Sequence, residues 1–154
     1  MESDKERTDR QLVELLTELR VVLPGAQVLL GFLFAVPFAT QFGKTDPTER
    51  VALFAALMAS VAGTLFLIAP SVYHRSRWQR GGKQDVVRVA HRLFIVGSAL
   101  LALSIDAALF TVADFLYGTG VASVSCAVIG LFVVTSWYIL PLRRSREPRI
   151  RDEE

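Results

Sequence analysis

Residues 21–43 read VVLPGAQVLLGFLFAVPFATQFG, a stretch without a single charge. A helix needs roughly 20 apolar residues to cross about 30 Å of hydrocarbon, and this run exceeds that length. Three further runs extend the pattern. Residues 51–73 carry no charge, a third run from Leu93 carries only Asp106 before Asp114, and residues 115–142 are again uncharged. Where no water is present, each backbone N–H and C=O must be paired within its own segment or in a closed barrel. The alternating short strands of a barrel are absent, so helices are expected. A water-soluble bundle would show a polar face on every helix, and residues 29–39 and 61–69 have almost no polar residues. The predicted fold is all-α: an integral membrane four-helix bundle made of two antiparallel hairpins, with an N-terminal amphipathic helix.

The basic residues fix the expected orientation. Fifteen of the seventeen Lys and Arg lie in three places: the segment before the first run, the connection between the second and third, and the tail. Lys44 and Arg50 share the first short loop with Asp46 and Glu49, and the last connection has no basic residue. By the positive-inside rule, both termini and the middle loop belong on the cytoplasmic side. Tyr73, Trp78, Trp137 and Tyr138 fall near that expected interface and Tyr117 near the other, where amphipathic rings are favoured. A cleaved signal peptide is not expected, because the first run is too long for one and lacks the small-residue cleavage pattern.

The organisation follows. Residues 1–20 form a cytoplasmic segment in which Leu12, Leu15, Leu16 and Leu19 recur at helical spacing, with Thr8 or Asp9 as its cap and a turn into the membrane at Pro24 and Gly25. Residues 21–142 hold spans at about 21–43, 50–73, 92–113 and 120–142. Asp46, Pro47 and Glu49 read as N-cap, N1 and N3 of the second helix. Gly81 and Gly82 break the chain on the basic side, Asp85 can cap the third helix, and Gly118 and Gly120 predict a tight turn. The charged tail, residues 143–154, is expected to be disordered. Pro37 and Pro70 mark expected kinks. Small residues four apart predict packing seams at Gly31 and Ala35, Ala59 and Gly63, and Cys126 and Gly130.

Few residues could carry chemistry. Asp106 is the one ionisable group well inside a span, where a charge costs at least ~2.5 kcal/mol. It reads either as a proton- or cation-responsive site or as one end of an interhelical hydrogen bond to Gln27, Thr64 or a second copy of itself. Gln27 could line a path or act as interhelical glue. Arg75, Arg77, Arg80, Lys83, Arg88 and Arg92 are candidate contacts for anionic lipid headgroups, worth about 1 kcal/mol each near a charged surface. His74 and His91 lie among them without cysteine or carboxylate at ligand spacing, so no metal site is predicted. Trp78 alone is interleaved with these arginines, too little for a base-stacking platform, so no nucleic-acid partner is expected. Cys126, the single cysteine, reads as a small packing residue.

The search for catalytic patterns is negative. G-x-S-x-G, H-E-x-x-H, G-x-x-x-x-G-K-[ST] and paired intramembrane aspartates are all missing. No enzyme activity and no cofactor are predicted. The expected partners are the lipid bilayer, anionic lipid, and either further copies of the chain or another membrane protein.

The run from Glu18 to Leu29, ELRVVLPGAQVL, followed by Pro37-Phe38, Pro70 with His74-Arg75, and His91-Arg92, resembles an uncharacterised actinobacterial family of small four-span membrane proteins. The resemblance covers residues 12–142. It implies a bacterial membrane protein of unknown function, and some relatives carry a sodium/proton antiporter label. Four spans give little material for the inverted repeats on which such transporters are built, unless several copies assemble.

Overall fold

The computed structural model describes residues 4–77 and 83–139. These form four long helices: α1 (Asp4–Ala35), α2 (Pro47–Arg77), α3 (Lys83–Tyr117) and α4 (Thr119–Val134). The helices, with the short turns that continue α1 and α4, supply four segments long and apolar enough to cross a membrane: Thr17–Phe38, Pro47–Val72, Arg88–Tyr117 and Thr119–Trp137. The all-α bundle of four candidate spans expected from the sequence is therefore the observed fold.

The amphipathic N-terminal segment and the first span are one helix. α1 runs through Pro24 and Gly25 without interruption, and Thr8 and Asp9, expected at its cap, lie inside it. Proline is tolerated within apolar helices where local adjustment and neighbouring groups re-satisfy the freed carbonyl. The other end is shorter than expected. The α-helix stops at Ala35, and Pro37 sits in a 3₁₀ turn, Val36–Phe38, followed by a second, Thr40–Lys44. Pro37 thus ends a helix and does not kink one: it has no N–H to continue the α-helical ladder, the chain tightens into the 3₁₀ turn, and Ala39 is extended. Pro70 lies buried inside α2, which stays helical on both sides of it.

α2 opens with the expected cap. The Asp46 Oδ1 accepts from the Glu49 N–H at 2.8 Å, and the Glu49 Oε2 accepts from the Asp46 N–H at 2.9 Å. This reciprocal pair satisfies two backbone donors that a helix start leaves without partners. At the same end of the bundle, a single residue separates α3 from α4. Gly118 has φ +85°, and its N–H donates to the Asp114 carbonyl at 2.8 Å. Beyond α4 the chain widens into a π-helical turn, Thr135–Ile139. Gly81, Gly82, Trp78 and the tail after residue 139 lie outside the described residues, as does the Asp85 side chain.

The α2–α3 pair forms the heart of the bundle, and small residues explain why. In lipid there is no water to drive helices together, so close backbone approach and interhelical hydrogen bonds do so. Gly63 and Gly97 mark the tightest point. A Cβ on Gly63 would lie 3.0 Å from the Gly97 carbonyl oxygen, and one on Gly97 would lie 2.9 Å from Leu67 Cγ. Close by, the buried Ser104 hydroxyl donates to the Ala56 carbonyl at 2.7 Å. α1 packs on this pair through Leu19, Ala26 and Leu33. Leu19 and Ala26 join Leu67, Ala90 and Leu101 in one cluster, and Leu33 joins Leu53 and Ala56 in a second. Among the described helices α4 packs on α3 alone, and Ala122 is its one buried residue. Among the described residues, α1 and α4 do not approach each other.

Candidate functional site

Asp106 faces the α3–α4 seam. The Cys126 thiol donates to its backbone carbonyl at 3.4 Å, and its Oδ2 would lie 4.0 Å from a Cβ placed on Gly130. The spacing of Cys126 and Gly130 therefore does mark a packing seam, with the Asp106 carboxyl covering the glycine. Its Oδ1 is buried and has no hydrogen-bond partner among the described residues. The partners expected for it lie elsewhere. The Thr64 hydroxyl donates to the Ser60 carbonyl within its own helix at 2.8 Å, and Gln27 is exposed on α1.

Gln27, the other polar candidate, is exposed and points away from the bundle. It sits near the middle of the candidate span Thr17–Phe38, with Gly31 and Ala35 at four-residue intervals beyond it, all three exposed. Nothing lies within 4 Å of the position that a Gly31 Cβ would take. Of the three expected seams, Ala59 and Gly63 are buried between α2 and α3, and Cys126 and Gly130 adjoin α3. Gly31 and Ala35 are left on the outer surface of α1.

Between α1 and the π-helical turn Thr135–Ile139, over the face of α3, lies an open groove of about 700 Å³. Its walls include Val22, Leu29, Phe94, Leu101 and Trp137, with Ser98 and Ser136 as the hydroxyl groups of an otherwise apolar lining. The Ser136 hydroxyl is already used, donating to the Phe132 carbonyl at 2.8 Å.

At the end where α2 begins and α3 ends, the fold brings together three carboxylates that are far apart in sequence. One oxygen each from Asp46, Glu49 and Asp114 lie within 4.8 Å of one another. Glu49 and Asp114 are buried, and Asp114 Oδ2 has no hydrogen-bond partner among the described residues. In the sequence, Asp46 and Glu49 read only as capping residues and Asp114 only as the edge of a span. What joins them is the register of α2 against α3, for which no local pattern stands.

Arg88, Arg92 and His91 are exposed at the start of α3. The remaining candidate headgroup contacts, Arg80 and the side chains of Arg75, Arg77 and Lys83, lie outside the described residues, as does the side chain of His74.

Four long apolar helices packed as a bundle, with polar groups on their inner and outer faces, define a small multi-pass membrane protein. The chain belongs to a family of unknown function, DUF6328, whose model matches residues 1–141. None of the curated proteins and none of the solved structures matches it.

Proposed function

We propose that the protein is a non-enzymatic subunit of the bacterial cytoplasmic membrane, with both termini in the cytoplasm, that works as a homo-oligomer joined through α1. Gln27 carries this reading. An amide exposed to hydrocarbon near the middle of a span leaves its donors and acceptor without partners, at a cost on the order of a few kcal/mol. A second copy removes that cost, since two Gln27 side chains can donate to each other. Gly31 and Ala35, one and two turns further along the same exposed stripe, let the two backbones come close. Another membrane protein with a small-residue helix would fit the same stripe.

Chemical crosslinking in native membranes, together with light scattering of the protein in mild detergent, tests this directly. The wild type is expected to be oligomeric, and Gly31→Leu combined with Gln27→Leu to be monomeric. A wild type that is strictly monomeric in detergent and yields no crosslinked product in membranes overturns the proposal.

A second reading, a proton- or cation-coupled transporter assembled from several copies, draws on the buried and unpartnered Asp106 Oδ1. In that reading Asp106 is the ion-responsive residue, and proteoliposomes holding a pH-sensitive dye would lose flux in Asp106→Asn but keep it in Ser123→Ala. Equal flux in wild type and Asp106→Asn would remove Asp106 from any transport role.

A further inference from the structure

We infer that Asp46, Glu49 and Asp114 form a binding site for a hard divalent cation such as Ca²⁺ or Mn²⁺, at the end of the bundle where α2 begins and α3 ends. The inference is independent of the oligomer proposed above and of which side of the membrane this end faces.

The spacing suits such an ion. Oxygen ligands lie about 2.3–2.6 Å from Ca²⁺, so three of them around one ion can be no more than roughly 5 Å apart. The three carboxylates meet that limit, with one oxygen from each within 4.8 Å of the others. The capping hydrogen bonds occupy Asp46 Oδ1 and Glu49 Oε2, and each carboxylate retains a second oxygen.

The charge balance also favours a cation. Glu49 and Asp114 are 6% and 8% exposed, so water does little to screen them. The start of α2 favours negative charge beside it, which helps Asp46 and Glu49. Asp114 has no such help, because it lies in the last turn of α3, where the carbonyl end of the helix is itself negative. Its Oδ2 is fully buried without any donor among the described residues. The Arg50 guanidinium, in the first turn of α2, is turned to other groups: its Nε donates to the Thr45 hydroxyl at 3.1 Å, and it stacks on the Phe42 ring at 5.7 Å. A buried, unpartnered carboxylate facing two others is the arrangement in which a bound dication stabilises the fold.

Titration of the full-length protein in detergent with Mn²⁺, followed by electron paramagnetic resonance, tests the site, with Ca²⁺ as competitor. The expected result is saturable binding of about one ion per chain, with Kd on the order of 0.1–1 mM, weakened about tenfold or more in Asp114→Asn and in Glu49→Gln. Both variants keep the side-chain shape, and the amide oxygen introduced by Glu49→Gln can still accept from the Asp46 N–H, so folding is preserved; thermal unfolding in EDTA verifies it. Glu14→Gln, which changes an exposed acid on α1, should bind as the wild type does. Absence of saturable Mn²⁺ binding in the wild type, or binding that neither Asp114→Asn nor Glu49→Gln weakens, overturns the inference.

Discussion

Gly63 and Gly97 oppose each other across the α2–α3 crossing, each so near the other's backbone that a methyl group on either would lie 3.0 Å from the facing carbonyl oxygen. Backbone carbonyls cannot move aside as a side-chain tip can. Gly97→Val should therefore force the helices apart and destabilise the protein by about 1–3 kcal/mol, despite the helix propensity it gains. Thermal unfolding in detergent measures this. Gly25→Ala, at a helical glycine with open space around it, should be neutral or stabilising by up to about 1 kcal/mol.

Ser104 ties α3 to the Ala56 carbonyl from a fully buried position. Interhelical hydrogen bonds of this kind contribute about 0.6 kcal/mol on average in membrane bundles. Ser104→Ala should lower stability by about that amount, up to roughly 1.7 kcal/mol, without changing helix content by circular dichroism.

Gly118 holds φ +85° and ψ 165°, a region that residues with a Cβ scarcely enter. Gly118→Ala should cost about 1–3 kcal/mol in the same unfolding assay, because one residue makes the whole turn. Gly120→Ala, inside α4 with open space beside it, should instead be tolerated.

Asp46 caps α2 by accepting from the Glu49 N–H. Asp46→Ala should cost about 0.5–2 kcal/mol. Asp46→Asn, which caps equally well, should retain most of that stability. Equal losses in the two variants would show that the hydrogen bond is not what holds the start of α2.

Asp106 packs against α4 with a buried oxygen that nothing satisfies. An ionised carboxylate there is costly, whereas an amide of the same shape carries no charge. Asp106→Asn is expected to keep or raise the unfolding temperature. A marked fall would mean that the carboxyl serves a partner that the amide cannot.

Local chemistry is legible in the sequence, and long-range register is not. The four spans follow from apolar length, the cap of α2 from Asp46, Pro47 and Glu49 lying within four residues, and the last turn from glycines beside Tyr117. Ala59 with Gly63 and Cys126 with Gly130 are recognisable as seams because spacing within a helix is fixed. Gly97 carries no such mark: it has no small residue four positions away, and its partner Gly63 lies on another helix. The meeting of Asp114 with Asp46 and Glu49 depends on how far α3 slides along α2, a quantity set by side-chain packing over two long helices. The continuity of α1 runs against the expected turn because Pro24 and Gly25 disfavour helix in water, while an apolar surrounding makes an open backbone costlier still.

α1 spans 32 residues, about 48 Å at 1.5 Å per residue, against roughly 30 Å of hydrocarbon. Its polar portion and its apolar portion are thus one continuous helix, with Pro24 inside it. The end bearing Arg10 and Glu14 reaches well beyond the length that the hydrocarbon needs, so an assembly joined through Gln27 would gather those charged ends together outside the lipid.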